Sequence, residues 1–266
     1  MATSIMLPEG YVRECSACGL AFSSCTKQEF YMSLEDHWST SSHIDPPLSS
    51  IKRLRQRRSK ELKVAKKLIG SKQQLKLLDI GCRTGTMVSL FDSFGLDARG
   101  IDPAAQPVEM GRSAGRKLDI GFVEQQGYAS NSFDIVTMYE VIEHLPNPDV
   151  VLSEISRILR PGGILIVGTG NYASWTRMLR KSNWDFFSLR GRGGHIYFYS
   201  PDSLKKIGLK HNLHLSETIS YTVKFLEKHD AHWSIYRLAK LFSELLSFPS
   251  QVFKRGHQME CFLVKR

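Results

Sequence analysis

Leu77-Leu78-Asp79-Ile80-Gly81-Cys82-Arg83-Thr84-Gly85-Thr86 is an apolar run that ends in an acid and passes through two glycines into helix-compatible residues, Thr86 to Phe91. The run from Leu75 to Ile80 predicts a buried strand, the glycines a tight loop, and the residues after them a helix N-terminus. Gly81 and Gly85 carry no Cβ, so the loop can turn at positive φ and bring backbone N–H groups close to a ligand. About 20 residues later, Ala98-Arg99-Gly100-Ile101-Asp102 predicts a second strand that also ends in an acid. Nucleoside-binding α/β folds place a carboxylate there to hold the ribose hydroxyls.

Outward from this unit, strand and helix patterns alternate, which predicts a parallel sheet with helices on both faces. Pro103 to Gly115 reads as a helix, Asp119 to Glu124 as a third strand and Ser132 to Met138 as a fourth. Pro148 to Leu159 is again helical, Arg160 to Gly163 a turn, and Ile164 to Gly168 a fifth strand. Ser200-Pro201 starts a helix through Lys210, Leu213 to Thr222 is a sixth strand, Glu227 to Phe248 an amphipathic helix, and Gln258 to Val264 the last strand.

The glycine loop, the phrase Ser132-Phe133-Asp134-Ile135-Val136 and Pro161-Gly162-Gly163 before an apolar strand together resemble the class I S-adenosylmethionine (SAM)-dependent methyltransferases. Asp79, Gly81 and Gly85 match their acid-x-Gly-x-Gly-x-Gly signature, while Arg83 stands where the middle glycine is usual. The resemblance implies a Rossmann-like α/β fold, a seven-stranded sheet in the order 3-2-1-4-5-7-6 with the last strand antiparallel. It implies SAM as cofactor, with Asp79, Gly81, Cys82, Gly85, Asp102, Gln125 and Tyr139 as the binding set. Asp102 would hold the ribose, Gln125 the adenine edge, and Asp79 the methionine amino end or the loop itself.

After the fourth strand comes Tyr139-Glu140-Val141-Ile142-Glu143-His144-Leu145-Pro146. A helical turn here would set Glu140, Glu143 and His144 at i, i+3 and i+4 on one face, a hard-metal or acid–base cluster that His195 could complete. The same Glu-x-x-Glu-His with a later His occurs in ubiquinone-type O-methyltransferases and in the Mg2+-dependent enzymes of small-RNA 3′ ends, which this chain resembles. Glu140, Glu143, His144 and His195 are thus candidate Mg2+ ligands, and His144 and His195 candidate catalytic residues with or without a metal.

The composition is ordinarily globular, 42% hydrophobic and 23% charged, with a net charge of +10 that favours an anionic partner such as RNA, a phosphorylated substrate or a membrane surface. Five cysteines suit a reducing compartment, and no run approaches the length of a membrane span, so the chain reads as cytoplasmic. Residues 1–46 read as an irregular segment with a partial zinc knuckle, Cys15-Ser16-Ala17-Cys18-Gly19-Leu20. It resembles the second Cys-x-x-Cys pair of methyltransferases with an N-terminal zinc module; with one pair only, and no standard spacing to Cys25, His37 or His43, zinc is the less favoured reading. Residues 47–74 form a basic linking helix, nine Lys or Arg against Glu61 between Lys52 and Lys67, read either as a phosphate-docking surface or as a solvated helix packed on the first strand. Residues 75–266 are the methyltransferase domain.

The aromatic segment 171–194 reads as the acceptor side of the cleft. The expected reaction is methyl transfer to an oxygen of a small, lipid-linked or sugar-linked acceptor. RNA is the alternative acceptor and a non-catalytic SAM-binding scaffold the alternative of another class. The amphipathic helix before the last strand reads first as core packing, with a lid, a dimer face or peripheral membrane contact as its alternatives.

Overall fold

The computed structural model describes the chain except residues 1, 9, 27, 33–47, 71–73, 188–193 and 227–231. His37 and His43, and the arginines Arg190 and Arg192 of the aromatic segment, lie outside the described residues.

The larger sheet contains seven strands: β4 (Lys76–Ile80), β5 (Asp97–Asp102), β6 (Leu118–Ile120), β7 (Phe133–Tyr139), β8 (Leu159–Gly170), β10 (Leu213–Tyr221) and β11 (Gln258–Lys265). They run in the order β10-β11-β8-β7-β4-β5-β6. The first five are parallel to one another, and β11 lies antiparallel between β8 and β10. This is the order 3-2-1-4-5-7-6 expected from the sequence. Leu77, Leu78, Ile135, Val136, Ile164 and Leu165 are fully buried, as strands covered on both faces require.

Helices α1 (Leu48–Ile69), α2 (Thr86–Asp92), α3 (Ala105–Ser113), α4 (Pro148–Ile158), α5 (Trp175–Arg180), α6 (Pro201–Lys210) and α7 (Trp233–Val252) complete the described helical set, together with short 3-10 turns. Two apolar clusters sit on opposite sides of the sheet. One joins Leu62 and Ala65 of α1 to Leu77, Phe91 and Ile166; the other joins Leu152 and Ile155 of α4 to Leu78, Val136 and Leu165. Residues 160–163, read as a turn, lie within β8. Their Pro-Gly-Gly is absorbed as an irregularity, since Phe133 pairs with Leu159 and Ile135 already with Ile164.

The reading of the N-terminal segment as irregular is corrected. β1 (Ala2–Leu7), β2 (Gly10–Glu14) and β3 (Ala21–Phe22) form an antiparallel sheet whose fourth strand is β9 (Tyr197–Phe198). Its core holds Leu7, Val12 and Ala21 with Tyr172, Trp184, Phe186, Phe187 and Phe198. The aromatics Trp184, Phe186 and Phe187, expected to line an acceptor cleft, are therefore packing residues of this second core. Trp184 is 1% exposed.

Candidate functional site

The loop between β4 and α2 turns at positive φ at Gly81 (77°), Arg83 (50°) and Gly85 (78°). Arg83 thus adopts the backbone that its glycine counterpart would adopt freely, at a cost of roughly 1–2 kcal/mol for a residue with a Cβ. The cost is offset by Asp102. Its carboxylate accepts the N–H of Arg83 (3.0 Å) and the N–H of Ala104 (2.9 Å), tying the glycine loop to the end of β5. Burial raises the Asp102 pKa against the pull of those two donors. Each oxygen takes one N–H and keeps a second lone pair, an arrangement that fits two vicinal hydroxyls.

Asp79, at the end of β4, is 3% exposed and accepts Thr137 Oγ1 at 2.6 Å. Burial pushes its pKa up to about 7, while the Thr137 bond and the Arg58 charge pull it back. Cys82 turns into the core instead of the cleft: its Sγ would lie 2.6 Å from a Cβ on Gly100, and burial raises the thiol pKa. Only its backbone faces the loop. Gln125 ends a 3-10 turn after β6 and is exposed, and beside it Phe122 is also exposed, a flat apolar surface at the edge expected to take a base. The third strand, read as Asp119 to Glu124, ends at Ile120, which leaves Phe122 past the strand at the edge, where the sequence reading did not place it.

Tyr139, expected to touch the cofactor, is held from the side of α1. Its hydroxyl donates to Glu61 (2.8 Å) and the Arg58 guanidinium lies 3.6 Å over its ring. Arg58 pairs with Glu61 and with Glu260 (3.1 Å), Arg57 with Glu260 (2.6 Å), and Arg57 covers the Tyr221 ring at 3.8 Å. Two arginines and two glutamates meet under the end of β7, where burial and the neighbouring Glu260 push the Glu61 pKa well above the ordinary range while Glu61 and the arginines hold that of Glu260 down against burial. Arg55 bonds Ser93 and lies 5.0 Å from the Phe94 ring. Arg57 and Arg58 are thus committed within the fold, while Arg55 stays exposed on its bond to Ser93, so the phosphate-docking reading loses two of its arginines.

The segment after β7 lies over the same loop. A Cβ at Gly81 would fall 2.3 Å from Val141 Cγ2, so the segment after β7 presses directly on the glycine turn. Glu143 and His144 follow on a 3-10 turn. The side chains of Glu143, His144 and His195 each bring one ligating atom within 4.8 Å of the others. The rings of His144 and His195 are 4.6 Å apart. Glu140 is exposed at a positive φ of 53° and stands outside this trio, so of the three residues expected on one face only Glu143 and His144 join His195. Its charge still reaches Glu143, whose pKa is raised well above the ordinary range by burial first and by Glu140 second.

His195 is clamped. It is 4% exposed, stacks on Phe186 with ring centroids 5.7 Å apart, and its Nδ1 lies 3.0 Å from the Phe186 carbonyl oxygen. A carbonyl accepts only, so Nδ1 carries the proton and Nε2 presents a lone pair. Backbone bonds extend the clamp: Ile196 N–H donates to the Glu143 carbonyl (2.9 Å) and Ser23 N–H to the Ile196 carbonyl (2.9 Å). The N-terminal sheet is thereby fastened to the cluster.

One buried carboxylate and two imidazoles fit a divalent cation, because Glu143 is 1% exposed and both its oxygens lie buried without an ordinary hydrogen bond. Two nitrogen donors suit a first-row transition ion better than Mg2+, which prefers oxygen. Cys15 and Cys18 lie at the turn from β2 to β3, where Gly19 N–H donates to the Cys15 carbonyl (2.8 Å). Among the described residues they join no third His, Cys or acid in a cluster.

Known proteins share both the sequence and the fold. The methyltransferase domain family matches residues 48–218, more than half of the chain. A ubiquinone biosynthesis O-methyltransferase of Thiobacillus denitrificans is 28% identical over 173 residues, 61% of this chain and 72% of that protein. Its counterpart in a Bradyrhizobium species is 29% identical over 162 residues, 54% of this chain and 60% of that protein. In fold, a SAM-dependent methyltransferase from Thermotoga maritima superposes with a TM-score of 0.56 at 18% identity, covering 88% of this chain and 100% of that one. A SAM-dependent methyltransferase from Archaeoglobus fulgidus gives 0.55 at 14% identity, covering 89% and 100%.

Proposed function

This chain belongs to the methyltransferase domain family, and from that premise we propose that it moves the methyl group of SAM to an oxygen of a small, lipid-linked acceptor. The observation that carries the acceptor half is the convergence of Glu143, His144 and His195 beside the glycine loop. Its likeness to proteins named ubiquinone biosynthesis O-methyltransferases supports a hydroxyl on a lipid-borne ring. A sugar-linked hydroxyl would meet the same groups.

In this reading Asp102 receives the ribose hydroxyls, Asp79 the methionine ammonium, and the Gly81–Gly85 turn leaves room for the chain between them. The sulfonium supplies a methyl carbon already primed for displacement. His195, fixed with its proton on Nδ1, accepts the acceptor hydroxyl's proton at Nε2, and Glu143 and His144 orient that hydroxyl. With a divalent ion held by Glu143, His144 and that same Nε2, the ion would acidify the hydroxyl in place of the proton transfer to His195. An RNA acceptor finds less support once Arg57 and Arg58 are committed to Glu61 and Glu260.

Calorimetric titration tests both halves. Asp102→Ala is expected to weaken SAM binding by about 10-fold or more, the loss of charged hydrogen bonds. His195→Ala should leave SAM affinity intact and abolish Mn2+ binding. Unchanged SAM affinity in Asp102→Ala would refute the donor assignment, and unchanged Mn2+ binding in His195→Ala the assignment of the cluster as a metal site.

A further inference from the structure

α7 is amphipathic in the opposite sense to a helix that packs on a sheet. Leu238, Leu241, Phe242, Leu245, Phe248 and Val252 recur at the spacing of one helical face. Each is more than half exposed, from 53% at Phe242 to 74% at Phe248. The face toward β10 is instead made with small residues. Ser250 is fully buried and its carbonyl accepts Ser220 Oγ at 2.9 Å, while the hydroxyls of Ser243 and Ser247 bond back to carbonyls of their own helix. The apolar stripe therefore contributes nothing to the fold's core, and a continuous exposed patch of this kind marks a contact surface.

The surface continues onto α5. Phe253 lies 6.2 Å from the Trp175 ring, and α5 adds exposed Met178 and Leu179. Its charges are nearly all of one sign: Arg237 and Lys240 on α7, Lys254 and Arg255 just after it, Arg180 and Lys181 at the end of α5. The single acid of α7, Glu244, lies 3.9 Å from Lys240. Apolar side chains bordered by arginine and lysine match an anionic lipid surface, where the chains enter the acyl boundary and the cations meet headgroups. A second copy fits poorly, because a two-fold contact would bring these cations against themselves. No described helix is long and apolar enough to cross a membrane.

We propose that α7 and α5 dock this protein on an anionic bilayer, with α7 lying in the plane of the interface. The docking face sits at the acceptor edge of the larger sheet. Asn171, directly after β8, donates through Nδ2 to the carbonyls of Lys254 and Gly256 (3.0 Å each), and His257 next to them contacts Phe186, on which His195 stacks.

The test sediments the full chain with vesicles of phosphatidylcholine alone or mixed with phosphatidylglycerol, without SAM, so that its outcome is independent of the methyl-transfer reading. Pelleting with the anionic vesicles, weakened by salt, is expected. Leu241→Glu combined with Leu245→Glu should lower it by about 10-fold or more, with circular dichroism and thermal unfolding unchanged because both positions are exposed. A wild-type protein that stays in the supernatant would overturn the proposal. So would a wild-type dimer by light scattering that the double variant converts to a monomer, which would assign the face to a second copy.

Discussion

Asp79 carries the most direct pH prediction in the site. Its pKa stands near 7, above the ordinary 3.8, because burial disfavours the carboxylate. A raised acid pKa means that the fold prefers the protonated form, so stability is full at low pH and declines as pH rises from about 4 toward 7. The methionine ammonium reverses that preference. SAM binding through an ionised Asp79 must expel a proton below the folded pKa, so affinity should rise about 10-fold per pH unit up to about 7 and then level off. Calorimetry in buffers of different ionisation enthalpy counts the proton. Asp79→Asn should flatten the profile, and a pH-independent wild-type affinity would remove Asp79 from the cofactor contact. At this scale the sequence told where the turn and the strand ends fall better than where side chains go. Asp79, Gly81, Gly85 and Asp102 were readable because backbone conformation and strand-end position dictate them. Cys82 was not, since adjacency to a glycine cannot tell a side chain facing the cleft from one packed on Gly100 and Val88.

Among the elements, α1 shows what periodicity conveys and what it leaves out. The spacing of Leu54, Leu62 and Ala65 identifies the helix and its buried face, yet charge counting treats every arginine on it as solvated. Arg58 is 4% exposed and meets Glu61 on its own helix and Tyr139 and Glu260 on two other elements. Its partners on β7 and β11 lie too far along the chain for any local pattern to announce them. Arg58→Ala leaves two buried glutamates short of a cation and should destabilise the protein by about 3–5 kcal/mol, read as a lowered denaturant midpoint at unchanged slope. A change below about 1 kcal/mol would show the network to be structurally idle. The turn after β7 departed from expectation for a similar reason. The i, i+3, i+4 spacing of Glu140, Glu143 and His144 assumes helix from the first residue, but Glu140 turns left-handed and only the last two reach His195.

On the scale of the whole molecule, the strands of the larger sheet were legible in place because a buried sheet writes apolar runs between helices, while their order came from the family resemblance and residues 160–163, read as a turn, lie within β8. The smaller sheet was not. β3 and β9 are two residues each, below the length at which alternation means anything, and their pairing joins opposite parts of the chain. Deleting residues 2–22 should uncover Trp184, Phe187 and Phe198 while sparing the glycine loop. The expected result is a red-shifted Trp184 emission and a lower melting temperature with SAM affinity within about 3-fold of wild type, since distant sites behave nearly additively. A large loss of SAM affinity would mean that the two sheets act as one unit.

The pairing of Ala21 with Phe198 and of Phe22 with Tyr197 also sets an order of assembly on the ribosome. β4, its glycine turn and β5 can close as soon as they emerge, whereas β3 must wait for a partner in the last third of the chain. At 5–20 residues per second that wait is on the order of 10–30 s. The nascent protein can therefore close its glycine loop well before the cluster of Glu143, His144 and His195 is fastened to the smaller sheet, and through that interval its first strands lack their β9 partner.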